Sequence, residues 1–181
     1  MDIHWKQEYT GDMEVRQRDG VTYLSYPRLE RESAIVHGFS TRLGGVSEGC
    51  LGSMNLSFSR EDNPENVLEN YRRISRAIGF PVESIVTSDQ THTTNVRQVG
   101  KEDCGCGVLT PRTFHDIDGL ITNEPGVTLA TFYADCVPLY FYDPTHKAIG
   151  LSHSGWRGTV GNIAKATVEA MQKVYHTDPA D

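Results

Sequence analysis

Between Thr131 and Gly158 the chain reads TFYADCVPLYFYDPTHKAIGLSHSGWRG, two apolar strands joined by a polar turn. Runs of this length and composition predict buried strands. Cys136 falls in the middle of the first, and the second leads straight into His153 and a Gly-Trp-Arg-Gly loop. A thiol and an imidazole are thereby delivered from the ends of buried strands to one place, which is where α/β proteins usually keep their chemistry. His92, in SDQTHTTNV, has a similar strand-edge position. A Cys/His/His constellation is the expectation against which the rest of the chain is read.

Ahead of this stretch the elements are short and mixed. VTYLSYP, closed by Pro27, has strand composition, and Ser33 to Phe39 (SAIVHGF) reads as another apolar strand. It feeds a serine- and glycine-rich loop carrying Arg42. Such a loop either turns backbone N–H groups on an anion, with Arg42 as a bidentate fork, or is a surface loop whose glycines serve turn geometry. It matches neither the Walker nor the dinucleotide pattern. The clearest helix begins with Asn63 as N-cap and Pro64 at its first position, and Gly79 ends it. Val67, Leu68, Tyr71, Ile74, Ser75 and Ile78 share its inner face. Ile85–Thr87, Asn95–Val99 and Leu120–Thr122 read as short strands. After Gly158 a second helix carries Ile163, Ala166, Thr167, Ala170, Met171 and Val174 on one face. Several strands are too close together for helical crossovers, so the pattern predicts an α+β, mixed-sheet layered domain over residues 1–181 rather than a doubly wound parallel one.

With 181 residues there is chain enough for a real core, and a net charge of −7 argues against a nucleic-acid or anionic-membrane surface. No apolar run reaches membrane-span length and the first residues lack a signal pattern, so a cytoplasmic protein with reduced thiols is expected. Cys50 sits in a turn. Cys104 and Cys106 form a C-x-C pair that could bind a soft metal or form a strained redox link, but read first as two exposed loop thiols.

His92, Cys136 and His153 carry the strongest chemistry. Two imidazoles and a thiolate suit zinc, with a fourth position open. A metal would hold Cys136 as thiolate and make a bound water more acidic. The same residues fit a cysteine nucleophile with a histidine base, or a small core thiol with two satisfied histidines. Asp116 and Asp118 lie two apart before Gly119, as paired carboxylates or turn residues. Asp135, a carboxylate inside an apolar run, must be hydrogen-bonded, paired or functional, and is the candidate for orienting a site histidine.

HGFSTRLGGVSEG, NLSFS with ENVLENYRRI, SDQTH, DIDGLIT, ADCVPLYFYD and SHSGWRG, in this order, resemble the peptidoglycan editing factor family. That family is also called multicopper polyphenol oxidase or laccase-like, and is linked to purine nucleoside phosphorylase activity. The resemblance runs from about His37 to the last helix. It implies a layered α/β/β/α fold resembling the cytotoxic necrotizing factor-like catalytic domain, and a zinc site made by His92, Cys136 and His153. It also implies phosphorolysis of adenosine, inosine and methylthioadenosine, adenosine deamination, and a role in editing cell-wall precursors. Asp135 joins the three ligands as a catalytic candidate. Arg42, Asn55, Gln90 and Arg157 are the candidate contacts to nucleoside or phosphate. Copper is the poorer expectation, since seven histidines scattered mostly in turns do not supply a multicopper cluster. Two departures stand out. Thr93 follows His92 where a glycine is common, and the family continues into an Ile-Gly-Pro segment, so a C-terminally truncated chain is expected. The rival readings are a cysteine hydrolase acting on peptidoglycan precursors and a non-catalytic zinc module.

Overall fold

The computed structural model describes residues 13–180, and the chain divides into two compact units, one ending at Val82 and the other beginning at Glu83. Among the described residues no helix is long and apolar enough to cross a membrane.

In the first unit, β1 (Glu14–Arg18), β2 (Val21–Ser25) and β3 (Phe39–Ser40) form an antiparallel sheet in that order, with α1 (Pro27–Glu30) after β2. Asp19 and Gly20, both at positive φ, make the two-residue turn between β1 and β2, and an Asp-Gly pair suits that geometry. β3 is shorter than the strand expected over Ser33–Phe39. The His37 ring nitrogen accepts the Tyr26 N–H at 2.8 Å, so a side chain takes a bond that a longer ladder would have used. Helix α2 (Pro64–Ile78) follows its sequence signals. The Asn63 side chain accepts the Glu65 N–H, and Gly79 caps the far end at φ 109°, a left-handed conformation that glycine adopts freely. Val67, Tyr71, Ile74 and Ala77 are buried, and Ile74 and Ala77 pack with Val21 and Met54. Asn70, fully buried on the same face, donates to the Ser47 hydroxyl and the Asn55 carbonyl and accepts the Val46 N–H. One amide therefore straps the Gly/Ser loop to the helix.

The second unit contains β4 (Ile85–Thr87), β5 (Val96–Gln98), β6 (Gly119–Thr122), β7 (Thr128–Ala130), β8 (Val137–Asp143) and β9 (Ala148–Ser154), followed by α3 (Trp156–Val160) and α4 (Ile163–Tyr175). β4 and β7 pair in parallel. The other four make a mixed sheet in the order β5-β6-β9-β8, parallel between β5 and β6 and antiparallel elsewhere. β6 is buried along its whole length. Alternation sends Leu120 into a cluster with Val86, Val99, Phe114 and Val127, and Ile121 to the other face with Ala148, Met171 and Tyr175. Helix α4 buries Ile163, Thr167, Met171 and Tyr175, a regular every-fourth stripe. Val174, expected inside, is exposed because Tyr175 takes the inner position.

The mixed α+β architecture with several sheets agrees with the expectation, but three further details differ. β8 is not a buried strand: it lies at the edge of its sheet and only Asp143, at its end, is buried. Cys136 is not in mid-strand: β7 ends at Ala130 and β8 starts at Val137, with Cys136 in the bend before it. The Phe132 N–H and carbonyl are taken by the Gln90 amide, at 2.7 and 2.6 Å, which substitutes for ladder bonds and breaks the run in two. The Cys104/Cys106 pair is not exposed either. Cys106 is 3% exposed within the Leu120 cluster, with Cys104 packed against it.

Candidate metal centre

Two strand registers and one loop assemble the site. In the β6–β9 pair Gly119 stands opposite Ser152, and one step beyond, the His153 N–H donates to the Asp118 carbonyl at 2.7 Å. Asp118 and His153 are thus cross-strand neighbours, placed for their side chains to meet. The His153 Nδ1 lies 2.8 Å from Asp118 Oδ1, with both residues buried. On the other side of β9, Val137 of β8 faces Ser154. The next step in that register sets Cys136 across from Gly155. There a side chain would force a neighbour to move, since a Cβ on Gly155 would stand 2.6 Å from His92 Cδ2 and 3.1 Å from Cys136 Sγ.

His92 arrives from the loop between β4 and β5, at φ 67°, a left-handed conformation uncommon outside glycine and asparagine. The cause is again Asp118. The N–H groups of Thr91, His92 and Thr93 converge on its carboxylate at 3.0, 3.1 and 2.9 Å, and the Thr93 hydroxyl adds a bond at 3.1 Å. Successive N–H groups turned to one point make an anion-binding concavity, and here the anion is the protein's own. Favourable bonds to a fixed charge offset the backbone strain at His92.

The donor atoms of His92, Cys136 and His153 all lie within 4.8 Å of one another, with Cys136 Sγ 3.9 Å from His92 Nε2. The two imidazole rings are nearly perpendicular at 4.9 Å. A four-coordinate zinc with bonds of about 2.0–2.3 Å needs its ligands roughly 3.5 Å apart, so small side-chain rotations close the set. His153 is buried, Cys136 half-buried and His92 exposed, which leaves the centre open on the His92 side, as catalytic rather than structural sites are. The Tyr133 ring lies 5.6 Å from that of His153, its hydroxyl donating to the Ser152 carbonyl.

Electrostatics favour a cation here. Burial works to raise the Asp118 pKa, but hydrogen bonds from His153, Thr93 and Thr91 outweigh it and hold the carboxyl below its ordinary value. The Cys136 thiol is pushed up, by desolvation first and then by the charges of Asp135 and Asp118. Alone it is a poor thiolate at neutral pH, whereas a bound metal would deprotonate it.

The remaining candidates are placed as follows. Asp135 is exposed, and its carboxylate reaches the Cys136 thiol at 3.6 Å rather than a histidine. Gln90 spends its amide on Phe132, tying the His92 loop to the Cys136 loop. Arg157 is exposed, with its guanidinium 5.3 Å from the Trp156 ring. In the first unit, the Arg42 guanidinium donates to the Gly52 carbonyl, and the Asn55 amide donates to Asp62 and to the Ser57 carbonyl. Of the other histidines, His37 accepts from Tyr26, while His115 and His146 meet Asp89 and Asp143. Asp118, expected only as one of a carboxylate pair or as a turn residue, is the group that sequence reasoning did not connect to the histidines. Its signal was available: a carboxylate directly before the apolar GLIT strand must find donors once that strand is buried.

Residues 36–181 match the model of a family described as multi-copper polyphenol oxidoreductase laccase. Over 147 residues the chain is 40% identical to the purine nucleoside phosphorylase YlmD of Geobacillus stearothermophilus, covering 81% of this chain and 54% of that protein. It is 39% identical over 186 residues to the mouse purine nucleoside phosphorylase LACC1, covering 95% and 41%. Among solved structures, that of YlmD from Geobacillus stearothermophilus superposes with a TM-score of 0.79 at 36% identity, covering 91% of this chain and 61% of that one. A Bacillus licheniformis hypothetical protein, YfiH, gives 0.81 at 31% identity, covering 92% and 61%. The chain spans about half the length of the curated relatives it matches.

Proposed function

The chain belongs to the multi-copper polyphenol oxidoreductase laccase family, and from that premise we propose that it carries the zinc centre of a purine nucleoside phosphorylase acting on inosine, adenosine and methylthioadenosine. The relatives' names support the reaction class. The observation that carries the proposal is the convergence of His92, Cys136 and His153 donor atoms within 4.8 Å, open on one side. Among the described residues this is the one cluster of histidine, cysteine and acidic groups able to hold a metal. Three donors suit a single zinc, whereas a multicopper oxidase needs several copper sites. Adenosine deamination and the layered α/β/β/α arrangement related to the cytotoxic necrotizing factor domain belong to the same proposal.

In phosphorolysis the bond from the anomeric carbon to the purine nitrogen breaks, its electron pair leaving on the base. A phosphate oxygen makes the new bond to that carbon, and the base takes up a proton. A zinc ion bound here would supply Lewis-acid stabilisation of developing negative charge. The protein's own groups do the rest. His153 gives Nδ1 to Asp118 and so has only Nε2 to offer the centre. Cys136 holds its proton until a cation displaces it. Gln90 keeps the His92 and Cys136 loops together. Arg157, exposed two residues after Gly155, is the candidate contact for an anionic substrate.

Protein purified without added metal should contain about one zinc per chain, lost in Cys136→Ala and in His153→Ala. Inosine should then yield hypoxanthine only when phosphate is present. Turnover that survives chelation but is abolished by a thiol alkylator would overturn the proposal in favour of a cysteine hydrolase.

A further inference from the structure

We infer that Asp118 is the positioning residue for both histidine ligands, setting the tautomer of His153 through its side chain and the left-handed turn of His92 through its backbone. The inference rests on the metal-centre reading above. Asp118 is 0% exposed, and five donors reach its carboxylate: the N–H groups of Thr91, His92 and Thr93, the Thr93 hydroxyl and His153 Nδ1. An ionised carboxylate only accepts, so His153 Nδ1 must carry the proton and Nε2 must hold the lone pair, the form a metal requires. The same charge draws three consecutive N–H groups inward, which holds His92 at φ 67°. One buried group thereby fixes a ligand on β9 and a ligand on the loop after β4. Removing it would cost the two histidines their mutual placement, not one contact.

The donor arrangement makes the effect of a neutral isostere specific. Oδ2 accepts from Thr91, Thr93 and the Thr93 hydroxyl, whereas Oδ1 accepts from His92 and His153. In Asp118→Asn the amide NH2 must face one of these sets. Facing the smaller set is the lesser conflict, and it puts a donor against His153 Nδ1. The imidazole then relieves the clash by moving its proton to Nε2, which closes the lone pair to metal.

The test uses metal-free protein with 15N-labelled histidine near neutral pH, read by two-bond 1H–15N correlation, together with titration by Zn2+ and Co2+. In the wild type, His153 is expected with its proton on Nδ1. In Asp118→Asn the proton is expected on Nε2, with Zn2+ and Co2+ bound ten- to hundredfold more weakly, the range for loss of a ligand's supporting carboxylate. The thiolate-to-cobalt absorption should weaken with it. A wild-type His153 protonated on Nε2 overturns the inference without recourse to any variant. So does an Asp118→Asn protein that keeps both the wild-type tautomer and the wild-type affinity. A wild type with the expected tautomer that binds neither ion would overturn the metal-centre reading instead, the tautomer still supporting the hold of Asp118 on His153.

Discussion

Gly155 and Asp118 set opposite demands within a few ångströms of the same three donors. The first leaves no room for a side chain unless a donor moves, because a Cβ would stand 2.6 Å from His92 Cδ2, inside any real contact distance. The second must be an anion, because every neighbour of its carboxylate is a donor. Gly155→Ala should therefore push His92 or Cys136 aside while the strands remain, at a cost of about 1–3 kcal/mol for overpacking. Zinc affinity measured against a chromophoric chelator is expected to fall about tenfold or more, with an unchanged far-ultraviolet spectrum. An alanine variant with wild-type affinity would show slack at the centre that the distances deny. At this scale the candidate donors were legible, since cysteine and histidine declare their chemistry by type, although a nucleophile or a core thiol with satisfied histidines fitted the same residues. The part Asp118 plays was not, because an aspartate two after another and before a glycine reads locally as a paired carboxylate or a turn residue, and neither reading points to a histidine.

At the scale of elements, α2 was read almost to the residue, because Asn63, Pro64 and Gly79 act through bonds within their own turns. β8 was read too long, since the break at Phe132 comes from Gln90, 42 positions earlier in the chain. The far end of β8 has a long-range contact of its own. Asp143, 2% exposed, accepts from the His146 N–H, His146 Nδ1 and the hydroxyl of Thr177 beyond α4, at 2.9, 2.9 and 2.6 Å. Burial alone would raise its pKa, but these bonds outweigh it and bring the group from 3.8 to about 2. A carboxyl whose pKa is lower folded than unfolded stabilises the fold above its unfolded value. That stabilisation is lost as pH falls through the folded value. Between pH 4 and 2 the wild type should lose stability in urea titrations more steeply than Asp143→Asn, which should be weaker at neutral pH and flatter below it. Parallel pH profiles for the two proteins would show that the Asp143 contacts contribute nothing.

For the molecule as a whole, a metal that binds the folded chain in preference to the unfolded one adds to stability by mass action. The gain is about 2.7 kcal/mol when the free ion stands a hundredfold above its dissociation constant. Chelation should lower the melting temperature, and zinc should restore it in the wild type but not in Cys136→Ala. An identical melting temperature with and without chelator in zinc-replete protein would count against a metal bound in the folded state. Three donors on separate segments explain why the effect belongs to the fold: β9, the bend before β8 and the loop after β4 are brought together only when their sheets have formed. The net charge of −7 is a property of this scale too, and it sets a general repulsion that nucleic acids would have to overcome.

By residue type and order alone the chain determined its class of elements, the caps of α2 and the strand pair β8 and β9, and it offered His92, Cys136 and His153 as candidate metal donors. These depend on side-chain chemistry and on interactions within a few residues, which a linear reading contains. Tertiary structure alone decided that Cys136 stands at a strand's entrance, that Cys106 is core, that Gly155 lies against His92 and Cys136, and that Asp118 governs both histidines. Each follows from two segments meeting across a register, and a register is the joint result of hydrogen-bonded ladders and burial on both faces of a sheet. The stretch from Thr131 to Gly158 named its thiol and its imidazole, and the carboxylate one register step beyond β6 holds that imidazole in place.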